Sequence, residues 1–208
     1  MRDRDNPFIA REGVPYLAAA VVAIFAVVQF GEALLGLIPA IVLVWLFLVF
    51  RDPVRSVSAV PLGVLSPVDG TVVETGLTDK GALNHESHRI LIEVNSLGTY
   101  TARSATEGKI MDFRAGVPYS AVNGHSSGLW VRTDEGDDVV LQFHGHRFGL
   151  APLAFLGYGE RVGQGQRCAY LRLTRFAEVQ LPINSRVSVE AGQTVAAGVD
   201  LLAKLQHP

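Results

Sequence analysis

Several residues in this chain have the type and spacing to do chemistry. Asp69, within Ser66-Pro67-Val68-Asp69-Gly70, is a carboxylate in a tight turn. A carboxylate there either orients a catalytic base or satisfies backbone N–H groups. Gly124-His125-Ser126-Ser127-Gly128 has the form G-x-S-x-G, which in hydrolases presents a serine nucleophile between a strand and a helix. Here the next residues, Leu129 to Thr133, are rich in β-formers, so Ser126 reads as part of a polar hairpin loop, with serine hydrolysis as an alternative. His144 and His146 alternate and would share one face of a strand, and His85 and His88 lie three apart. No acidic or cysteine partner stands at metal-ligand spacing, so no metal is expected. Cys168 is the only cysteine, which excludes an intrachain disulfide and every two-cysteine motif. Arg103, Lys109 and Arg114 are candidates for holding lipid phosphates, because guanidinium and ammonium groups bind phosphate oxygens. The bland alternative for them is a solvated face.

The elements that must position these residues divide sharply by composition. From Val14 to Phe50 the only formal charge is Glu32. That length is about twice what one spanning helix needs, so two short helices turning near Gly31-Glu32 are expected, with 1–13 before them and 51–208 after. Arg2, Arg4 and Arg11 precede the apolar region and Arg51 and Arg55 come after it, while the turn has no Lys or Arg. That asymmetry predicts a membrane protein with both ends, and hence the soluble domain, facing the cytoplasm. A cleavable signal peptide fits poorly, because the apolar region is too long and lacks a small-residue cleavage site. Pro39 stands inside the second run, where a kink is tolerable. The net charge of −2 over 208 residues supplies no basic field for nucleic acid.

Beyond Arg51 the pattern is mainly β. Gly70–Glu74, Arg89–Val94, Leu129–Thr133 and Asp138–Phe143 are short runs bounded by turn residues, and Asp134-Glu135-Gly136 predicts a hairpin turn. Gly159 to Gly165 and Gly192 to Gly198 share the form G-x-x-V-x-x-G, 33 residues apart, each leading into an apolar strand. Shorter echoes stand upstream at Asp69-Gly70-Thr71-Val72 and Glu107-Gly108-Lys109-Ile110. Each unit supplies a turn free of Cβ, an inward Val and a second Gly turn. This predicts a barrel-sandwich-like β domain in which Val162 and Val195 are buried. Biotinyl and lipoyl carriers use similar units, but their modified lysine commonly stands beside Met, and no Met-Lys pair occurs here.

Order as well as motif then points to a family. Phe50-Arg51-Asp52-Pro53 after an apolar hairpin, and then Leu65 to Val72, resembles the opening of the short, membrane-bound phosphatidylserine decarboxylases. Ile90 to Ile110 resembles that family's strand–loop segment, Gly159 to Leu173 the strands leading to its self-cleavage site, and Leu181-Pro182 the residues after it. The likeness runs from about Pro7 to Leu205. It implies a chain that cuts itself at a serine, using an Asp–His–Ser set, and leaves a pyruvoyl group. The ketone of that group would form a Schiff base with the substrate amine and serve as electron sink.

Asp69 matches the family's Asp, but the other two positions do not carry over. Tyr100 stands in place of the His, and a phenol with a pKa of about 10 is a poor base at neutral pH. Thr174-Arg175 stands in place of the Gly-Ser, and arginine has no hydroxyl to attack with. The expectation is therefore a non-catalytic relative with no pyruvoyl cofactor, binding membrane phospholipid, supporting a protein partner or self-associating. The rival is an active carboxy-lyase cut at Thr174, or at an unrecognised serine such as Ser185 or Ser188.

Overall fold

The computed structural model describes residues 8–30, 33–57, 60–96, 98–115, 127–146 and 152–206. They belong to two compact units, one of Asp5–Val54 with Leu97–Thr99 and one chiefly of Arg55–Ser96 with Tyr100–Pro208.

In the first unit, α1 spans Val14–Phe30 and α2 spans Leu37–Phe50, each preceded by a 3-10 turn, Arg11–Gly13 and Ala33–Gly36. Pro15 and Pro39 both fall in first turns, where a missing N–H leaves no helical hydrogen bond unmade. Pro39 thus starts a helix and kinks nothing. Both helices carry apolar side chains outward, among them Val22 (67% exposed), Phe25 and Ile38. A helix in water does the reverse, hiding one apolar stripe. Arg11–Phe30, 20 residues of mean hydropathy 2.1, is long and apolar enough to cross a membrane. α2 is shorter, and its rise of roughly 21 Å falls below a hydrocarbon core of about 30 Å. Main-chain bonds close the base of the unit: Ala10 N–H donates to Phe50 O and Asp52 N–H to Phe8 O, both at 2.8 Å. Tyr16 stacks on Phe50 with ring centroids 5.7 Å apart. Gly13 lies so close that a Cβ there would sit 2.2 Å from the Phe50 ring.

The second unit is built from strands. β1 (Gly63–Leu65), β2 (Gly70–Thr78), β3 (Ser87–Val94), β4 (Thr101–Arg103) and β5 (Gly108–Ala115) come first. Next are β6 (Ser127–Arg132), β7 (Asp138–His146), β8 (Leu153–Ala154), β9 (Arg161–Val162) and β10 (Arg167–Tyr170). β11 (Thr174–Pro182), β12 (Arg186–Val187), β13 (Thr194–Val195) and β14 (Leu201–Lys204) come last. An eight-stranded sheet runs β13-β2-β3-β11-β7-β6-β5-β9, and two three-stranded sheets run β1-β14-β12 and β4-β10-β8. Every described pairing between these strands is antiparallel. The hairpin turn at 134–136 is present, with Gly136 at φ +96 and its N–H donating to Thr133 O at 3.1 Å.

The repeat organises this unit. Val162 and Val195 are both buried, on the short strands β9 and β13. β9 pairs Val162 with Gly108 and β13 pairs Val195 with Gly70, so each long unit docks on its own upstream echo. The parallels extend to detail. Ile110 N–H donates to Glu160 O and Val72 N–H to Gln193 O, both at 2.9 Å. Ser104 and Ser66 each donate to a carbonyl two residues on, at 2.7 Å. Each echo strand then breaks register right after its apolar residue, between Val72 and Glu74 and between Ile110 and Asp112. Gly165 and Gly198 meet between the two halves at positive φ (+70 and +72). A Cβ on Gly198 would lie 2.8 Å from Arg103 Cδ, and one on Gly165 would lie 2.5 Å from Val57.

One face of the large sheet is apolar core: Ile90 and Ile92 from β3, Ala177 and Val179 from β11, Leu141 and Phe143 from β7. Strict alternation predicts a solvated opposite face. That face instead buries Glu178, Gln180, Gln142 and His144.

Candidate functional site

Tyr100, Thr174 and Arg175, which the resemblance puts at the cleavage positions, come together through backbone pairing. β4 carries the chain from Tyr100 into Arg103 and pairs with β10, Tyr170 opposite Thr101. Immediately beyond β10, Leu171 N–H donates to Tyr100 O at 2.7 Å, tying the turn before Thr174 to Tyr100. In that turn Arg172 (φ +48) and Leu173 (φ +64) are both left-handed, a conformation L-residues with large side chains rarely adopt. Thr174 closes the turn, its N–H donating to Leu171 O at 3.0 Å and its hydroxyl donating to the same carbonyl.

A polar cleft of about 450 Å³ opens here, lined by Thr71, Glu93, Ser96, Tyr100, Thr174 and Arg175 among others. Thr174 is buried and Arg175 is 57% exposed, as expected of consecutive residues at the start of a strand. Arg175 Nε lies 3.3 Å from Glu93 Oε1, and its guanidinium sits 5.0 Å from the Phe176 ring centroid. Tyr100 is buried, and its hydroxyl donates to Ser96 O at 3.2 Å.

Asp69 is engaged beside this group. Ala197 N–H donates to its Oδ1 at 2.8 Å and Arg55 Nη2 to its Oδ2 at 2.6 Å. It thereby clips the end of one repeat unit to its echo. Of the cations proposed for lipid phosphate, Arg103 is enclosed (2% exposed), with Nη1 donating to Gly165 O at 3.1 Å. Lys109 is exposed on β5, and neither it nor Arg103 is among the described residues lining the cleft. The side chain of Arg114 lies outside the described residues, as do Ser126 and the side chain of His146. The chain passes from Ser126 directly into strand β6, whereas a nucleophile elbow needs a helix there.

Sequence reasoning missed Glu93 and a second cluster on the polar sheet face. Glu178 is fully buried between His144 Nε2 and Arg89 Nε, each 3.3 Å from Oε2, while Gln180 Nε2 donates to Oε1 at 2.6 Å. Burial alone would raise the Glu178 carboxyl. The close approach of His144, the hydrogen bond from Gln180 and the charges of Arg89 and His144 outweigh it and hold the pKa below the usual glutamate value. The one available clue was a glutamate inside the otherwise uncharged run Phe176 to Leu181. Among the described residues, no three His, Cys, Asp or Glu side chains gather as a metal set. Cys168 is buried, which pushes its thiol up to about 12 against the opposing charge of Arg103, so thiolate chemistry has no footing there.

No family model matches the chain. Curated relatives do. It is 30% identical, over 97% of each chain, to a phosphatidylserine decarboxylase proenzyme of Nitrosomonas eutropha. It is 31% identical to one of Burkholderia ambifaria, over 97% of this chain and 98% of that one. A third, from Nitrosomonas europaea, is 29% identical over 96% of both. Among solved structures, glucose permease IIA from Mycoplasma capricolum superposes with a TM-score of 0.46 at 16% identity, over 68% of this chain and 94% of that one. That likeness is too slight to build on.

Proposed function

The chain belongs to the phosphatidylserine decarboxylase family, and from that premise we propose that it is a membrane-anchored member that neither cleaves itself nor decarboxylates lipid. The observation that carries this reading is Arg175, whose guanidinium lies 3.3 Å from Glu93 Oε1 at the position where the resemblance puts the family's serine. A pyruvoyl group has no precursor side chain there. The adjacent hydroxyl, on Thr174, is buried and donates to the Leu171 carbonyl. Tyr100 supplies a phenol where a general base would be required. Asp69, bonded to Arg55 and the Ala197 N–H, has a turn-clipping role sufficient to explain it.

The role that remains is non-covalent: binding phospholipid at the membrane, or supporting a partner in phospholipid metabolism. The arginines outside both apolar runs favour a cytoplasmic β unit. One observation favours a second reading. Arg172 and Leu173 form a strained turn directly before Thr174, and strain at a scissile bond assists an acyl shift. An active lyase cut between Leu173 and Thr174 is the alternative.

The intact mass of the purified full-length chain separates the two. One uncut polypeptide is expected, with no carbonyl reactive toward hydroxylamine and no carbon dioxide released from phosphatidylserine. A C-terminal fragment beginning at Thr174 and abolished by Thr174→Ala would establish the alternative.

A further inference from the structure

We propose that Gln180 latches the loop joining β2 to β3 onto the polar sheet face, holding it while Glu178 is ionised and releasing it when Glu178 takes up a proton. The side-chain amide of Gln180 is engaged at both ends. Its Nε2 donates to Glu178 Oε1 at 2.6 Å and to Gln142 Oε1 at 3.4 Å, and its Oε1 accepts the Ala82 N–H at 2.6 Å. Ala82 stands in the loop between Thr78 and Ser87, so a side chain of β11 supplies the acceptor for a main-chain N–H of that loop. The seat is closely fitted. A Cβ on Gly81 would lie 2.9 Å from Gln180 Oε1 and 2.5 Å from Ser87 Oγ, so the loop comes this near only with glycine there. Within the loop, Gly81 N–H donates to His85 O at 3.0 Å and Asn84 N–H to Gly81 O at 2.9 Å, bonds in which Gln180 takes no part.

An amide has one accepting end and one donating end, so the end that Glu178 requires decides what Ala82 meets. Facing Glu178 are Arg89 from β3, His144 and Gln142 from β7 and Gln180 from its own strand, and Glu74 of β2 reaches Arg89 at 3.7 Å. Glu178 Oε2 lies 3.3 Å from both Arg89 Nε and His144 Nε2. A guanidinium only donates, so a proton on the carboxyl is carried by Oε1. There it meets the Gln180 NH2 group, donor against donor, until the amide turns over and offers its oxygen. Ala82 N–H then faces an NH2 group and has lost its acceptor. Burial favours the neutral acid, but His144, Gln180 and Arg89 outweigh it, so release falls below the ordinary glutamate value of about 4.3.

The test follows amide hydrogen exchange by NMR in the full-length chain, held in phosphatidylglycerol nanodiscs and isotope-labelled at alanine and threonine. Protection is expressed relative to the intrinsic exchange rate at each pH. Thr133, whose N–H donates to Asp137 O at 2.9 Å in the turn between β6 and β7, reports whether the β unit stays folded. In the wild type, Ala82 protection should fall about tenfold between neutral pH and about pH 3, while Thr133 keeps its own. Glu178→Gln is the neutral mimic. Its oxygen faces Arg89 and its NH2 group faces Gln180, so Ala82 should be about tenfold less protected already at neutral pH and indifferent to acid. Gln180→Met leaves the carboxylate in place and should give the same low, pH-independent value. Wild-type protection of Ala82 that persists in either variant overturns the proposal. So does an acid loss at Ala82 that comes only together with loss at Thr133. A variant without Thr133 protection has unfolded, and the wild-type titration then decides alone.

Discussion

At the scale of single residues, Glu178 is the group with the largest consequence for stability. Its carboxylate has left water completely, and its ionised form is sustained by Arg89, His144 and Gln180. Removing one partner of a buried charge cluster costs about 3–5 kcal/mol, because the others remain buried and uncompensated. Glu178→Ala should lower stability by that order in chemical denaturation. The pH dependence comes from the depressed pKa. A group whose folded pKa lies below its unfolded one contributes fully above the unfolded value, about 4.3 for glutamate, and loses that contribution as pH falls toward the folded value. The melting temperature of the wild type should therefore converge on that of Glu178→Gln as pH drops below about 4. A gap that stays constant with pH would show that ionisation of Glu178 contributes nothing to stability.

At the scale of elements, the doubled G-x-x-V-x-x-G unit explains both the short strands β9 and β13 and the glycines that frame them. Its two closing glycines are not equivalent to its opening ones. Gly165 and Gly198 combine left-handed backbone with neighbours that a Cβ would strike at 2.5 and 2.8 Å. Gly192 has φ +92 but open space around it. Gly192→Ala should cost only the backbone strain, about 1 kcal/mol. Gly165→Val or Gly198→Val should cost clearly more, because Val57 or Arg103 must also move. Urea midpoints of the variants rank these effects, and equal losses at all three would mean that crowding between the repeat halves is not what closes them. In the helical unit, Gly13→Leu should disrupt the closure of α1 on α2, because Phe50 occupies that space.

For the whole molecule, the prediction concerns the orientation proposed from charge. The apolar stretch has arginines beyond both of its ends and none between its runs. Reporter fusions at Gly31 and at Pro208 should accordingly mark opposite compartments, with Pro208 on the cytoplasmic side. The same compartment for both would mean that the paired runs do not form a spanning hairpin.

The chain's covalent order was enough to set the apolar stretch, the mainly β character beyond it, the hairpin turn at Gly136 and the burial of Val162 and Val195. These come from local rules, which are hydropathy, a period of two, and backbone angles only glycine adopts cheaply. What linear order left undetermined is who meets whom. Glu93 reaches Arg175 only because β3 pairs with β11, and the solvated face expected around Glu178 became buried only because β3, β11 and β7 bring their polar residues together. Arg103, exposed by type and spacing, is enclosed because the two repeat halves close over it at Gly165 and Gly198. Such partners lie far apart along the chain, and only the antiparallel register of long-range strands decides them.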